Sequence, residues 1–585
     1  MAGSPKYSLC PPFLLGRPGR AAEKKSRYCI FLAALVFLAL FMMLCFGSSS
    51  SCSGFDFSFH YRRLYTLTDA LKHCIYPSFY VDFGNVDGYG YFTKGFYSDV
   101  IMAPFALVGA FTSVYFAYDL MIFTMTILCG ALMYHTVDVI YKSSYTASVA
   151  AILYTFAVYR LYDIYQRGAL GEALSFTFLP VVFLGLYYIV KGDYRKWHVL
   201  AVGYGLLVYT HAIASVLMFV TLLVLLAVYS KSLVKEPRRL IYLVLAGLVT
   251  VLVTSYYTFP LLEQLATNSF YLNTRSPGGA AGYGKVGFNY IFWGFISGIA
   301  YPEKELWTGT GIVLAMLLLF RFFIRGKKNA YLRSADAGVI IGICFIVATS
   351  RIFPWGRFPF NLLSFIQHPW RLYEFSTCFF AIAGAYYLSV VFVDPKPRFI
   401  AAVVVVSATM LTTWIHSENY RSLDPAGDLS KETRARAIEP DYENGYNLIG
   451  REYLPSRLED IYCVHSRGEK VEGKNDGAGI SNLRREYNTT VFDVSLSEPD
   501  TLTLPLLYYY GYTATLNGEK LPVSQSCSGF VNVAVNRSGE VKAWYGGTTV
   551  QKASLYISLT SILFLYLYTI FTKGRKQNEP DESLS

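Results

Sequence analysis

The first group in this 585-residue chain whose type and setting suit chemistry is an isolated acid, Asp56, in the segment GFDFSFHYRR (54–63). It follows shortly after the first long apolar run and is flanked by Phe55, Phe57 and Phe59. A carboxylate deprived of water is harder to ionise, which moves its pKa toward the range of a general base. The plainer reading is an N-cap for the amphipathic stretch FHYRRLYTLTDALKHC, where His60, Leu64, Leu67 and Leu71 recur at helical spacing. Residue type alone favours the cap. A second group, Asp163, Arg167 and Glu172, lies in YRLYDIYQRGALGEALSF (159–176), between two apolar runs. Ionisable groups so close to hydrocarbon are costly unless partnered, and are candidates for function. The planar fork of Arg167 suits phosphate oxygens, and equally suits a structural pair with Glu172. A third group, Arg357, His368 and Arg371, sits in the proline- and aromatic-rich segment 351–375. It suits an anionic headgroup at the membrane surface, or an aromatic belt with snorkelling arginines. His211, in VYTHAIAS, is a fourth candidate, although a histidine at a helix end is more often a cap or a packed residue.

The elements that must position these groups are membrane helices. The chain is 54% hydrophobic, 17% aromatic and 16% charged, the signature of a polytopic membrane protein. Apolar runs at 28–47, 115–140, 145–159, 173–190, 196–210, 212–229, 239–262, 307–324, 336–350, 372–392, 398–414 and 553–571 predict about twelve spans. Arg17, Arg20, Lys24, Lys25 and Arg27 precede the first, which puts the N-terminus in the cytoplasm. If the apolar stretch 99–113 does not cross, the basic connections 191–196, 231–239, 325–333, 394–398 and the segment after the last span all fall inside. The net charge of +11 then reports topology and gives no reason to invoke nucleic acid. Cys52, Cys74, Cys463 and Cys527 fall on the outside, where bridges Cys52–Cys74 and Cys463–Cys527 are one reading and four separate thiols the other.

The chain divides into a basic tail (1–27), a helical body (28–414), a hydrophilic region (415–552), a final anchor (553–571) and a second tail (572–585). Within 415–552, the runs 489–496, 501–510, 530–535 and 540–546 read as strands, and Asn517-Gly518 as a hairpin turn. The fold class expected is therefore a polytopic α-helical membrane protein, N-in and C-in, with a small extracytoplasmic β-sandwich before the last span. The body's external loops are 48–98, 160–172, 263–306 and 351–371; the glycine-rich part of 263–306 could close over a substrate. That stretch lacks the spacing of a phosphate-binding loop, and the chain has no HExxH, CxxC or nucleophile elbow.

This layout resembles the GT-C glycosyltransferases, and more closely a bacterial branch called "6-pyruvoyl-tetrahydropterin synthase-related membrane protein", some of whose members decorate teichoic acids and other cell-wall polymers. The resemblance is carried by GFDFSFHYRR (54–63), YRLYDIYQRGALGEA with LPVVFLGLYYI (159–189), IQHPWRLYEF (366–375), LPLLYYYGYTATLNGEKL (504–521) and the final anchor. It implies transfer of a sugar from a polyprenyl-phosphate donor to a cell-envelope glycopolymer or glycolipid, at the outer face of a bacterial plasma membrane. It makes Asp56 the base, puts Arg167, Glu172, Arg371, His60 and Lys94 around the donor phosphate, and leaves Asp163, His211 and Asp99 as secondary candidates. A divalent cation, Mg2+ or Mn2+, is an open expectation. Many GT-C enzymes place a second acid close to the first; here none lies within a few residues of Asp56, and Asp82, Asp87 and Asp99 are the possible replacements. A transporter or flippase of lipid-linked sugars is the alternative, and predicts charges deep within the spans.

Overall fold

The computed structural model describes residues 20–48, 54, 56–74, 81–271, 285–300, 307–326, 329–422, 424, 427–439, 442–443, 445–448, 451–475 and 477–578. All twelve predicted apolar runs contain helix. Eight of the helices are long and apolar enough to cross a membrane: Lys24–Phe46, Val114–Tyr141, Ser144–Gln166, Leu170–Val190, Ala330–Ala348, Pro369–Val391, Pro395–Arg421 and Thr549–Phe571. A ninth candidate is the pair Arg238–Val253 and Ser255–Thr267, bent by 73°. The remaining runs of the expected twelve hold shorter helices. His198–Thr210 has 13 residues, about 20 Å of helix at 1.5 Å per residue, against a hydrocarbon core of roughly 30 Å. Ala212–Val228 and Ile312–Phe323 are also short. Ala103–Phe111 has nine residues, too few to cross, as the charge-based topology requires.

Local chemistry sets the joints. The Ser113 side chain caps Val114–Tyr141 by accepting from Phe116 N–H at 3.2 Å. Lys142 ends that helix in the left-handed region, and Ser143 caps Ser144–Thr155 straight afterwards. Two residues thus reverse the chain.

Side-chain contacts gather the basic connections at one end of the bundle. Lys24 pairs with Asp138 at 2.7 Å, Arg239 reaches the Ile189 and Gly192 carbonyls, and Lys191 reaches Ser334. Arg398 lies over the Tyr145 ring, and Tyr568 bonds Trp197. At the other end, the Arg421 guanidinium meets the Cys45 carbonyl.

That other end carries the β region. Its strands run from Glu472 to Tyr545 in two antiparallel sheets, of four and five strands. Phe492, Val494, Leu502, Leu504, Val531, Val533, Val541 and Ala543, drawn from both sheets, share one buried core. Asn517 and Gly518, at φ 50° and 89°, make the predicted hairpin turn. The predicted boundary at 415 falls within the helix Pro395–Arg421, and Asp428–Ile438 packs on Phe57–Lys72, with Arg62 donating to the Ile438 carbonyl at 2.8 Å. Cys463 and Cys527 are free thiols, which removes that bridge; Cys74 is free and Cys52 lies outside the described residues.

Candidate functional site

Two glycines bring the first loop against the second charged segment. A Cβ on Gly54 would lie 2.8 Å from Gly168 N and from the Tyr165 carbonyl oxygen. Gly168, at φ +69°, faces Phe57 N, which a Cβ there would approach to 2.7 Å. The contact is closed by Asp56 N–H donating to the Arg167 carbonyl at 2.8 Å. Just before it, Tyr162–Gln166 widens into a π-helical turn, a local form often found at functional sites.

Asp56 stands at the N-cap position of Phe57–Lys72, yet its side chain makes no capping bond. The capping expectation fails because Asp56 N–H is tied to Arg167 and the backbone, at φ −95° and ψ 1°, lacks the extended shape a cap adopts. The carboxylate is partly exposed and makes no ion pair within 4.0 Å among the described residues. Burial pushes its pKa up, against the charges of Arg167 and Arg371.

Deeper in, the second group closes on itself. Arg167 NH1 donates to Glu172 Oε2 at 2.7 Å and to Asp163 Oδ1 at 3.2 Å. Tyr159 Oη donates to Glu172 Oε1 at 2.6 Å. Arg371 Nε lies 3.2 Å from Glu172 Oε2, an ion pair without hydrogen-bond alignment, while its other nitrogens reach the Ile366 carbonyl and Gln367 Oε1. Asp163 and Glu172 are at most 1% exposed, and both lie within candidate spans rather than in an external loop. Glu374, which sequence reading passed over although it sits in IQHPWRLYEF, is fully buried beside them; Ser175 donates to its Oε1, and its Oε2 has no partner.

The remaining candidates divide. His60 Nδ1 faces an Arg63 N–H at 3.1 Å, and burial holds its pKa well below the usual histidine range, so it is a neutral ring with its proton on Nε2. His211 Nδ1 accepts from Ala214 N–H at 3.3 Å, the capping role expected for it. Its charge, if it formed, would act on Glu172, which sets it beside the inner cluster. Asp99 lies 3.5 Å from Arg63 and feels Lys94, so Lys94 belongs to this side network. Asp82 holds Arg62 at 3.4 Å, and Asp87 accepts from Tyr446 and faces His465. None of Asp82, Asp87 and Asp99 supplies the second acid at Asp56. Glu452, in the stretch 416–488 that carries no periodic pattern, feels the charges of Asp56 and Arg371 and makes no ion pair within 4.0 Å among the described residues. Much of the 263–306 loop, 272–284 and 301–306, lies outside the described residues, as do 49–53, 55 and 75–80 of the first loop.

Among the described residues no three of His, Cys, Asp and Glu converge, and the positive charge acting on Asp56 comes from Arg167 and Arg371.

No family model matches the chain. It is 21% identical over 355 residues to an uncharacterized protein of Lactococcus lactis subsp. cremoris (strain MG1363), covering 58% of this chain. The chain spans 57% of the length of that relative.

Proposed function

We propose that the protein is a membrane glycosyltransferase that takes a sugar from a polyprenyl-phosphate donor and attaches it to a cell-envelope acceptor, with Asp56 as the base. The supporting observation is the state of that carboxylate: raised by burial, spent on neither a helix cap nor an ion pair, and set in the field of two arginines. The acceptor hydroxyl loses its proton to Asp56 as its oxygen attacks the anomeric carbon. The bond to the lipid phosphate breaks with its electron pair on the phosphate, and Arg167 and Arg371 offset that charge. Attack opposite the leaving group inverts the anomeric centre. An outer-face site in the bacterial plasma membrane is supported by the basic connections gathering at the opposite end of the bundle, which the positive-inside rule assigns to the cytoplasm.

The lipid-linked-sugar transporter keeps one observation in its favour. Asp163, Glu172 and Glu374 are buried within candidate spans, where the alternative expects charge. Assay of purified protein with polyprenyl-phosphate sugars separates the two. Transfer that disappears in Asp56→Asn supports the enzyme; donor translocation without transfer, equal in wild type and variant, supports transport.

A further inference from the structure

Two stretches outside the long spans are fastened to each other beside the site. Val286 N–H donates to the Thr349 carbonyl at 2.9 Å, and Arg351 N–H to the Val286 carbonyl at 3.0 Å. One chain leaves this bridge as the helix Phe288–Ile296; the other links the span Ala330–Ala348 to the span Pro369–Val391 through 351–366. The link has two faces. Trp355 is buried and donates through Nε1 to the Ala348 carbonyl at 2.8 Å, and Ile366 is fully buried. Phe353 packs on Trp355 and on Phe360, with ring centroids 5.1 and 4.6 Å apart. On the outside, Ile352, Phe358, Leu362 and Phe365 are 51–79% exposed. The helix is divided in the same way: Gly294 is buried and Phe295 lies 6.2 Å from Phe380 of the span, while Phe288, Phe292 and Trp293 are 54–57% exposed. The link ends against the site itself, where Arg371 NH1 donates to the Ile366 carbonyl at 2.9 Å.

The charge on this surface has one sign. Stretches 285–296 and 351–366 hold three cations, Lys285, Arg351 and Arg357, and no acid. None of the three makes an ion pair within 4.0 Å among the described residues, and both arginines are exposed. The positive-inside bias gives no reason for them, because the basic connections gather at the opposite end of the bundle. We propose that this surface sits in the bilayer and holds an anionic phospholipid, with the exposed apolar side chains in the acyl region and Arg351 and Arg357 on the headgroup phosphate. The surface is continuous with membrane spans at both ends of 351–366, which puts lipid beside it. Aromatic rings suit the level of the headgroups, and arginine lays its stem along apolar surface while its fork reaches phosphate oxygens. A second copy of the chain fits poorly. A two-fold contact through this patch would set its cations against themselves, with no acid on either side to offset them. The docking holds for any reaction at the site, sugar transfer or another.

The test uses the full-length protein in phosphatidylcholine nanodiscs and reads quenching of tryptophan emission by brominated lipids. Two reporters cover the two stretches: Phe358→Trp, read as its difference from wild type, and Trp293, read as the difference between wild type and Trp293→Phe. Brominated phosphatidylcholine is expected to quench both. Brominated phosphatidylglycerol, added at the same fraction, is expected to quench the Phe358→Trp reporter more strongly. The preference expected is roughly fivefold, the usual contribution of one basic residue near an anionic surface. Replacing both arginines, Arg351→Gln with Arg357→Gln, should remove that preference and leave quenching by phosphatidylcholine unchanged. Failure of phosphatidylcholine to quench either reporter overturns the proposal, since the patch then faces water or a second copy of the chain. Equal quenching by the two lipids in the protein that keeps its arginines overturns the anionic site. A preference that survives replacement of both arginines overturns it too, because the headgroup is then chosen elsewhere.

Discussion

Two sets of buried charge lie within one site and are treated in opposite ways. The inner set is nearly closed: Arg167 serves Asp163 and Glu172, Arg371 serves Glu172, and Tyr159 fills the remaining oxygen of Glu172. In the outer set, the partly exposed Asp56 and Glu452 have no cation within 4.0 Å among the described residues. Burying a charge costs several kcal/mol unless it is partnered. The inner charges meet that cost with one another and hold the helices in place. The outer carboxylates leave it unmet, which raises their pKa values and readies them to accept protons. The partnered acids thus hold Arg167 and Arg371 in position, while the outer carboxylates are left to take protons.

The sharpest way to break this comparison is to neutralise one member of each set. Asp56→Asn is expected to lower sugar transfer by about 10²–10⁴-fold, the usual contribution of a positioned base, while melting no lower than wild type. Arg167→Ala is expected to fail in the opposite sense. It leaves Asp163 without a cation and Glu172 with Arg371 alone, at about 3–5 kcal/mol, seen as a lower melting temperature and less protein recovered from membranes. If Arg167→Ala folds normally and loses only activity, the inner set is not structural and the contrast is wrong.

A smaller effect tests how the sets are joined. Gly168→Ala puts a methyl 2.7 Å from Phe57 N at a φ of +69°, so the first loop must move away from Arg167. A loss of about 1–3 kcal/mol in stability is expected, with transfer reduced along with it.

The smallest effect concerns pH and stability. A carboxyl whose folded pKa is raised binds more protons folded than unfolded, so its contribution to stability is lost as pH rises from the unfolded toward the folded value. Asp56 and Glu452 are both raised. Asp56→Asn and Glu452→Gln should therefore raise the melting temperature relative to wild type more at pH 8 than at pH 5. Equal shifts at the two pH values would show that the carboxylates are not strained.

The legible part of this molecule was what local pattern can carry. Apolar length marked the helices, alternation marked strands 489–495, 500–507, 530–535 and 539–545, and Asn517-Gly518 marked a turn. Asp56, Arg167, Glu172 and Arg371 stood out because ionisable residues beside hydrocarbon are rare, and the fold brings all four to one end of the bundle. Apolar composition does not measure helix length: the run at 196–210 reads as a span, and its helix, His198–Thr210, has 13 residues. Glu452 was invisible for a different reason. Its stretch has no periodicity, and its position is set by Tyr453 packing against Phe96 and Tyr97, a contact over more than 350 residues. Glu374 was hidden by its neighbours, one acid in a segment whose prolines, aromatics and arginines suggested a surface. The cysteines showed the limit of composition as a guide, for Cys463 and Cys527 share a side of the molecule and remain free thiols.

The central claim is that Asp56 is the base of a sugar transfer from a lipid phosphate. Its most direct test is transfer of radiolabelled sugar from polyprenyl-phosphate donors by purified wild-type and Asp56→Asn protein, each with and without EDTA. The expected result is transfer by wild type that is lost in Asp56→Asn, with the EDTA lanes deciding whether a divalent cation takes part. Equal transfer by the two proteins, or none by wild type from any donor, would contradict it.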